Sequence, residues 1–160
     1  MADDAKLRVV VSVERGIVVT EPTKPLESLV EHAGSFAQLM LDNFGEFYPF
    51  GCSLDVEGEI NTVAACEEEY NPVSQNLIER LREGARHANQ AHEITATAVV
   101  YDARVQIRDR NIDSDAVVIE VDQSPDDPSI VFMLYQRRSG NIEYGDVLVQ
   151  PGTGEQYGAR

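Results

Sequence analysis

A chain of 160 residues with 42% apolar content is the size of one ordinary domain, able to bury roughly 70% of the surface its unfolded form exposes. The net charge of -15 and pI near 4.4 exclude nucleic acid or an anionic membrane surface as the main partner, because both are held by Lys and Arg. No apolar run reaches the roughly 18 residues of a spanning helix, and the acidic start Met1-Ala2-Asp3-Asp4 is unlike a secretory leader, so the expected location is the cytoplasm.

In chain order, valine-rich Leu7 to Val13 and Ile17 to Thr20, parted by Glu14-Arg15-Gly16, predict an N-terminal hairpin. Pro25 then opens an amphipathic helix. Its apolar face is Leu26, Leu29, Val30, Ala33, Phe36, Ala37, Met40, Leu41 and Phe44, and Gly45 is its stop. Pro49 suits a strand start or an edge strand. Phe50 to Leu54 and Ile60 to Cys66, joined by Asp55-Val56-Glu57-Gly58-Glu59, form a second hairpin. Asn71-Pro72 caps a second amphipathic helix carrying Leu77, Ile78, Leu81, Ala85 and Ala88, where Gly84 costs about 1 kcal/mol relative to alanine unless close packing requires it.

From Ile94 the apolar period falls to two, through Ile94 to Tyr101, Val117 to Val121, Ile130 to Leu134 and Tyr144 to Val149. The breaks between these runs are too short for parallel crossovers, so this half is expected to be an antiparallel meander. The fold expected is α+β: an antiparallel sheet of about five or six strands with two amphipathic helices on its apolar face, plus the N-terminal hairpin. Residues 1–24 form an extension, 25–150 the core and 151–160 a flexible tail of one domain.

No catalytic, metal or cofactor signature stands out, and none is expected. Cys52 and Cys66 lie far apart without a CxxC pair and read as buried free thiols. His87 and His92 are five apart, not the four-apart pair of a zinc helix. The Asp55–Glu59 loop has its glycine at the wrong position for a calcium loop.

Charge is unevenly spread. The 55 residues between Lys24 and Arg80 hold eleven carboxylates and neither Lys nor Arg. Asp55, Glu57, Glu59, Glu67, Glu68 and Glu69 are the candidate surface for a basic protein partner, through electrostatic steering. The cations gather on the second helix and the meander. If the Arg104 strand lies beside the Arg137 strand, with Tyr101 and Tyr135 near, the planar guanidinium forks could hold an anionic metabolite.

The series Gly45-Glu46-Phe47-Tyr48-Pro49-Phe50-Gly51, Asp55, Gly58-Glu59, Tyr101-Asp102-Ala103-Arg104-Val105, Tyr135-Gln136-Arg137-Arg138 and Glu143-Tyr144-Gly145 resembles a set of small bacterial proteins of uncharacterised activity over residues 26–151. That resemblance singles out Glu46, Tyr48, Arg104, Arg137 and Tyr144. The order of elements is also similar to the roadblock and profilin-like architecture, which implies a dimerising interaction module. The functional expectation is a homodimeric, non-enzymatic module, with an acidic inhibitor or immunity-type protein as its specific form; the alternative is a small binder or enzyme for an anionic metabolite.

Overall fold

The computed structural model describes residues 7–11, 24–64, 74–90, 94–107, 110–122 and 128–151. They build seven strands, β1 (Leu7–Val11), β2 (Phe50–Asp55), β3 (Ile60–Ala64), β4 (Ile94–Ile107), β5 (Ile112–Asp122), β6 (Pro128–Arg138) and β7 (Asn141–Pro151), and two helices, α1 (Lys24–Phe44) and α2 (Ser74–Gln90). Six strands run antiparallel in the order β3-β2-β4-β5-β6-β7, an α+β fold.

The tight β6–β7 connection follows from its turn chemistry. Ser139 at φ 54° and Gly140 at φ 82° are both left-handed, the geometry whose twist matches two antiparallel strands. β1 pairs with β4 in parallel register, Leu7 opposite Ala103 through Val11 opposite Ile107. The expected second arm, Ile17 to Thr20, lies outside the described residues. Because β2 takes Ile94 to Val100 on the edge of β4 away from β5, one long strand has that edge divided between two partners.

The helices do not share a face, contrary to the expectation that both cover one apolar side. On the first face, Leu29, Ala33, Ala37 and Leu41 of α1 pack on Cys52, Leu54, Ala98, Val100, Val117, Ile119 and Val131. On the second, Ile78 and Leu81 of α2 join Val99, Tyr101, Ala103, Val105, Ala116, Val118 and Phe132. The reason is in β4 and β5, where a continuous buried run, Ala96 to Tyr101 and Ala116 to Asp122, leaves neither side for water. Each fully buried Leu, Ile or Val contributes about 1.5–3 kcal/mol.

α1 is placed by its small residues and its end. At Gly34 an added Cβ would stand 2.9 Å from the Met133 sulfur, so glycine brings the helix close over β6. Gly45, at φ 76°, donates its N–H to the Leu41 carbonyl at 2.8 Å and closes the last turn. Phe44 leaves the expected apolar face there and is 75% exposed. Pro49 is buried and stands directly before β2, the strand-start role.

Candidate functional site

Past the C-terminal end of α1 the first face of the sheet turns polar, because the alternation of the strands brings Asp102 and Arg104 of β4, Asp113 and Asp115 of β5, and Tyr135 and Arg137 of β6 to the same side. Arg104 opposes Asp115, and Asp115 opposes Tyr135 across the ladders. The Arg104 and Arg137 strands are therefore not adjacent, as the meander interposes β5 between them. Tyr135 donates to Asp102 Oδ1 at 2.6 Å. Arg104 Nε donates to Asp113 Oδ1 at 2.8 Å, and its Nη1 lies 3.6 Å from Asp115. Arg137 Nη2 donates to the Gly45 carbonyl at 2.5 Å, with its guanidinium carbon 5.8 Å from the Tyr135 ring centre. Tyr144, 6.3 Å from Tyr135 between ring centres, donates to Asp42 Oδ1 at 3.1 Å.

This network fixes protonation as well as geometry. Burial, then the Asp102 charge, drives the Tyr135 phenol far above its ordinary range. Burial and the Asp42 hydrogen bond push Tyr144 up to about 12. Burial pulls the Arg104 pKa down, but the hydrogen bonds and charges of Asp113 and Asp115 outweigh it and hold the guanidinium above its usual value. Both tyrosines are thus neutral hydrogen-bond donors, and Arg104 is fixed between two carboxylates.

Of the residues singled out in the sequence, Arg104, Arg137, Tyr135 and Tyr144 meet here, joined by Asp42, Asp102, Asp113 and Asp115, which sequence reasoning passed over. The signal for the last three was the alternate spacing of Asp102 with Arg104 and of Asp113 with Asp115. Tyr101 is on the opposite face, where it donates to Glu120 Oε2 at 2.7 Å. Arg82 of α2 forks onto the same Glu120, Nε to Oε1 at 2.9 Å and Nη2 to Oε2 at 2.5 Å. That arrangement ties α2 to β5.

Glu46 and Tyr48 are exposed on the segment between α1 and β2, with Tyr48 59% accessible. At the β2–β3 turn, Asp55 Oδ1 accepts the amides of Glu57 and Glu59, each at 2.9 Å. The carboxylates of Asp55, Glu57 and Glu59 converge within 4.8 Å of one another. Glu67, Glu68 and Glu69 lie outside the described residues, as does Cys66. Cys52 is a buried free thiol, its pKa raised to about 11 by burial and partly opposed by a hydrogen bond with Thr62. His32 Nε2 stands 2.8 Å from the Thr62 hydroxyl, which links α1 to β3.

The ion pairs Arg82 with Glu120, Arg104 with Asp113 and Asp115, and Arg138 with Glu143 lie in the C-terminal half. None of them reaches Glu27, Glu31, Asp42, Glu46, Glu57 or Glu59, all exposed. Arg137 crosses to the end of α1, and there it takes a backbone carbonyl. No helix of the described residues is long and apolar enough to cross a membrane. Comparison with protein-family models, curated proteins and solved structures finds no match to this chain.

Proposed function

We propose that the protein is an interaction module that binds a basic protein through the end of α1 and the segment after it, in the manner of an acidic inhibitor. The observation that carries this reading is the surface Asp42-Asn43-Phe44-Gly45-Glu46-Phe47-Tyr48. Two aromatic side chains, Phe44 at 75% and Tyr48 at 59% exposure, stand among carboxylates that no ion pair described above engages. Aromatic anchors supply most of the energy of a protein contact, and surrounding charge sets its sign and association rate. The Asp55, Glu57 and Glu59 turn extends the same sign of potential. The open outer edges of β3 and β7 support a homodimer, each having one neighbour among the described strands. An anionic metabolite is less well served: at the Arg–Tyr cluster, four carboxylates face two guanidiniums.

The test is to repurify basic proteins retained by the immobilised chain and titrate them calorimetrically at about 0.05 and 0.5 M salt. Affinity should drop at least about tenfold with salt, and by a similar factor on Phe44→Ala with Tyr48→Ala or on Asp42→Asn with Glu46→Gln. Binding indifferent to salt and to both variant pairs would refute the reading.

A further inference from the structure

The six-strand path ends in β3 and β7, and the two outer edges are built differently. On β7, Gly145 and Asp146 together face the single residue Leu134, a bulge that interrupts the outward row of N–H and C=O groups. Glu143 and Asp146 put charge on that edge, and Pro151 lacks an N–H, so β7 is protected against a further strand. β3, Ile60-Asn61-Thr62-Val63-Ala64, has no charge, no proline and an unbroken register with β2. Its outward groups follow from the ladder. Asp55 donates to the Glu59 carbonyl at 2.9 Å, so alternation turns the N–H and C=O of Asn61 and Val63 toward β2 and those of Ile60, Thr62 and Ala64 away from it. Among the described strands, β2 is the one neighbour of β3.

The same edge borders a cleft. Between α2 and the β3-β2-β4 corner lies a space of about 610 Å³, walled by Leu81, Gly84 and Ala88 and reaching the edge at Val63, which is 51% exposed. Nothing lies within 4 Å of the Cβ position of Gly84, so its missing side chain leaves room in the cleft. A strand laid antiparallel on β3 would form its close, non-hydrogen-bonded pairs at Val63 and Asn61, about 4.5 Å between Cα atoms. The side chain opposite Val63 would therefore enter the cleft. The fourth residue after it would reach Glu59, where the carboxylates of Asp55, Glu57 and Glu59 gather within 4.8 Å of one another. An apolar recess and an acidic turn, separated by a short uncharged edge, complement an extended segment carrying one aliphatic and one cationic side chain at that spacing. We propose that the β3 edge takes up an extended peptide segment of a partner protein by antiparallel strand addition. The segment has an aliphatic side chain in the cleft and an Arg or Lys four residues later against the Asp55–Glu59 turn. Backbone pairing supplies affinity in this mode, and the cleft and turn supply specificity.

The full chain is titrated, by fluorescence anisotropy, with the capped and labelled peptide Thr-Leu-Thr-Val-Thr-Arg-Thr, whose Leu falls opposite Val63 and whose Arg falls opposite Glu59. Saturable binding is expected, and the amides of Ile60, Thr62 and Ala64 should gain protection from hydrogen exchange when the peptide is added. Serine in place of the peptide's Leu, or Gly84→Leu in the protein, should each weaken binding at least about tenfold. Gly84→Leu places a better helix former at an exposed position, so it should not lower the melting temperature. Glu59→Gln, on the surface turn, should weaken binding several-fold and leave a peptide with Gln in place of Arg unaffected. The proposal is overturned if no saturable binding occurs, or if protection appears at other amides. It is also overturned if neither the Leu-to-Ser peptide nor Gly84→Leu weakens binding, or if Glu59→Gln affects the Arg and Gln peptides equally. A dimer in sedimentation, with the outward β3 amides protected before any peptide is added, would assign this edge to a second copy and overturn it too. The basic-partner reading is scored on Phe44, Tyr48, Asp42 and Glu46, none of which belongs to this edge, so the two stand or fall separately.

Discussion

Tyr135 and Tyr144 show how one residue type is set by its neighbours. Both phenols are neutral donors to an aspartate, Asp102 and Asp42, and both are raised in pKa, burial being the first cause. A group whose folded pKa is raised lends stability below its unfolded pKa, and that stability disappears as pH climbs through the folded value. For Tyr144 the window runs from the ordinary value near 10 up to about 12. Ring carbon shifts followed by NMR should place Tyr144 half-ionised near the top of that window and Tyr135 still neutral there, with folding stability falling across it. A Tyr144 titration at the ordinary value would show that the Asp42 contact is not maintained in solution.

Elements were legible to differing degrees. α1 could be read because a 3.6-residue period survives any tertiary context: Leu29, Ala33, Ala37 and Leu41 are all buried as the spacing requires. The meander was legible because short breaks forbid crossovers. What periodicity cannot say is which side of the sheet a helix takes, and so Tyr101 and Tyr135, in similar sequence surroundings, were expected together and are found on opposite faces. Nor does any local signal announce a parallel partner as distant as β4 is from β1. The Asp102–Arg104–Asp115–Tyr135 site was half readable, its residue types being visible and its mutual contacts depending on strand register.

The α2 helix supplies a test at this scale. Arg82 and Tyr101 both satisfy Glu120, whose residue is only 8% exposed, so replacing the guanidinium leaves a carboxylate short of partners in a poorly solvated place. Arg82→Met should cost about 2–4 kcal/mol in chemical denaturation, and adding Glu120→Gln should recover most of it, since the neutral amide still accepts from Tyr101 and leaves no buried charge unpaired. A double variant no more stable than Arg82→Met would place the loss in helix packing instead.

At the scale of the molecule, the carboxylates of α1 and the β2–β3 turn repel one another, while the exposed pair Arg138–Glu143 contributes little in return. Screening should therefore stabilise the fold: raising salt from about 0.02 to 0.5 M is expected to lift the melting temperature by about 3–6 °C, measured by calorimetry. A melting temperature that falls with salt would mean that attraction, not repulsion, governs the net charge of -15.

The divided edge of β4 has a kinetic meaning. During synthesis residue 9 emerges early, yet residue 105, its partner, leaves the ribosome only after both helices and the β2–β3 hairpin have been made. The neighbouring strands from β4 to β7 close short loops and can zip together quickly, whereas this pairing closes the longest loop in the sheet. The opening strand is thus the last piece to lock, and until it arrives a nascent chain holds a ready place for any extended segment that comes first.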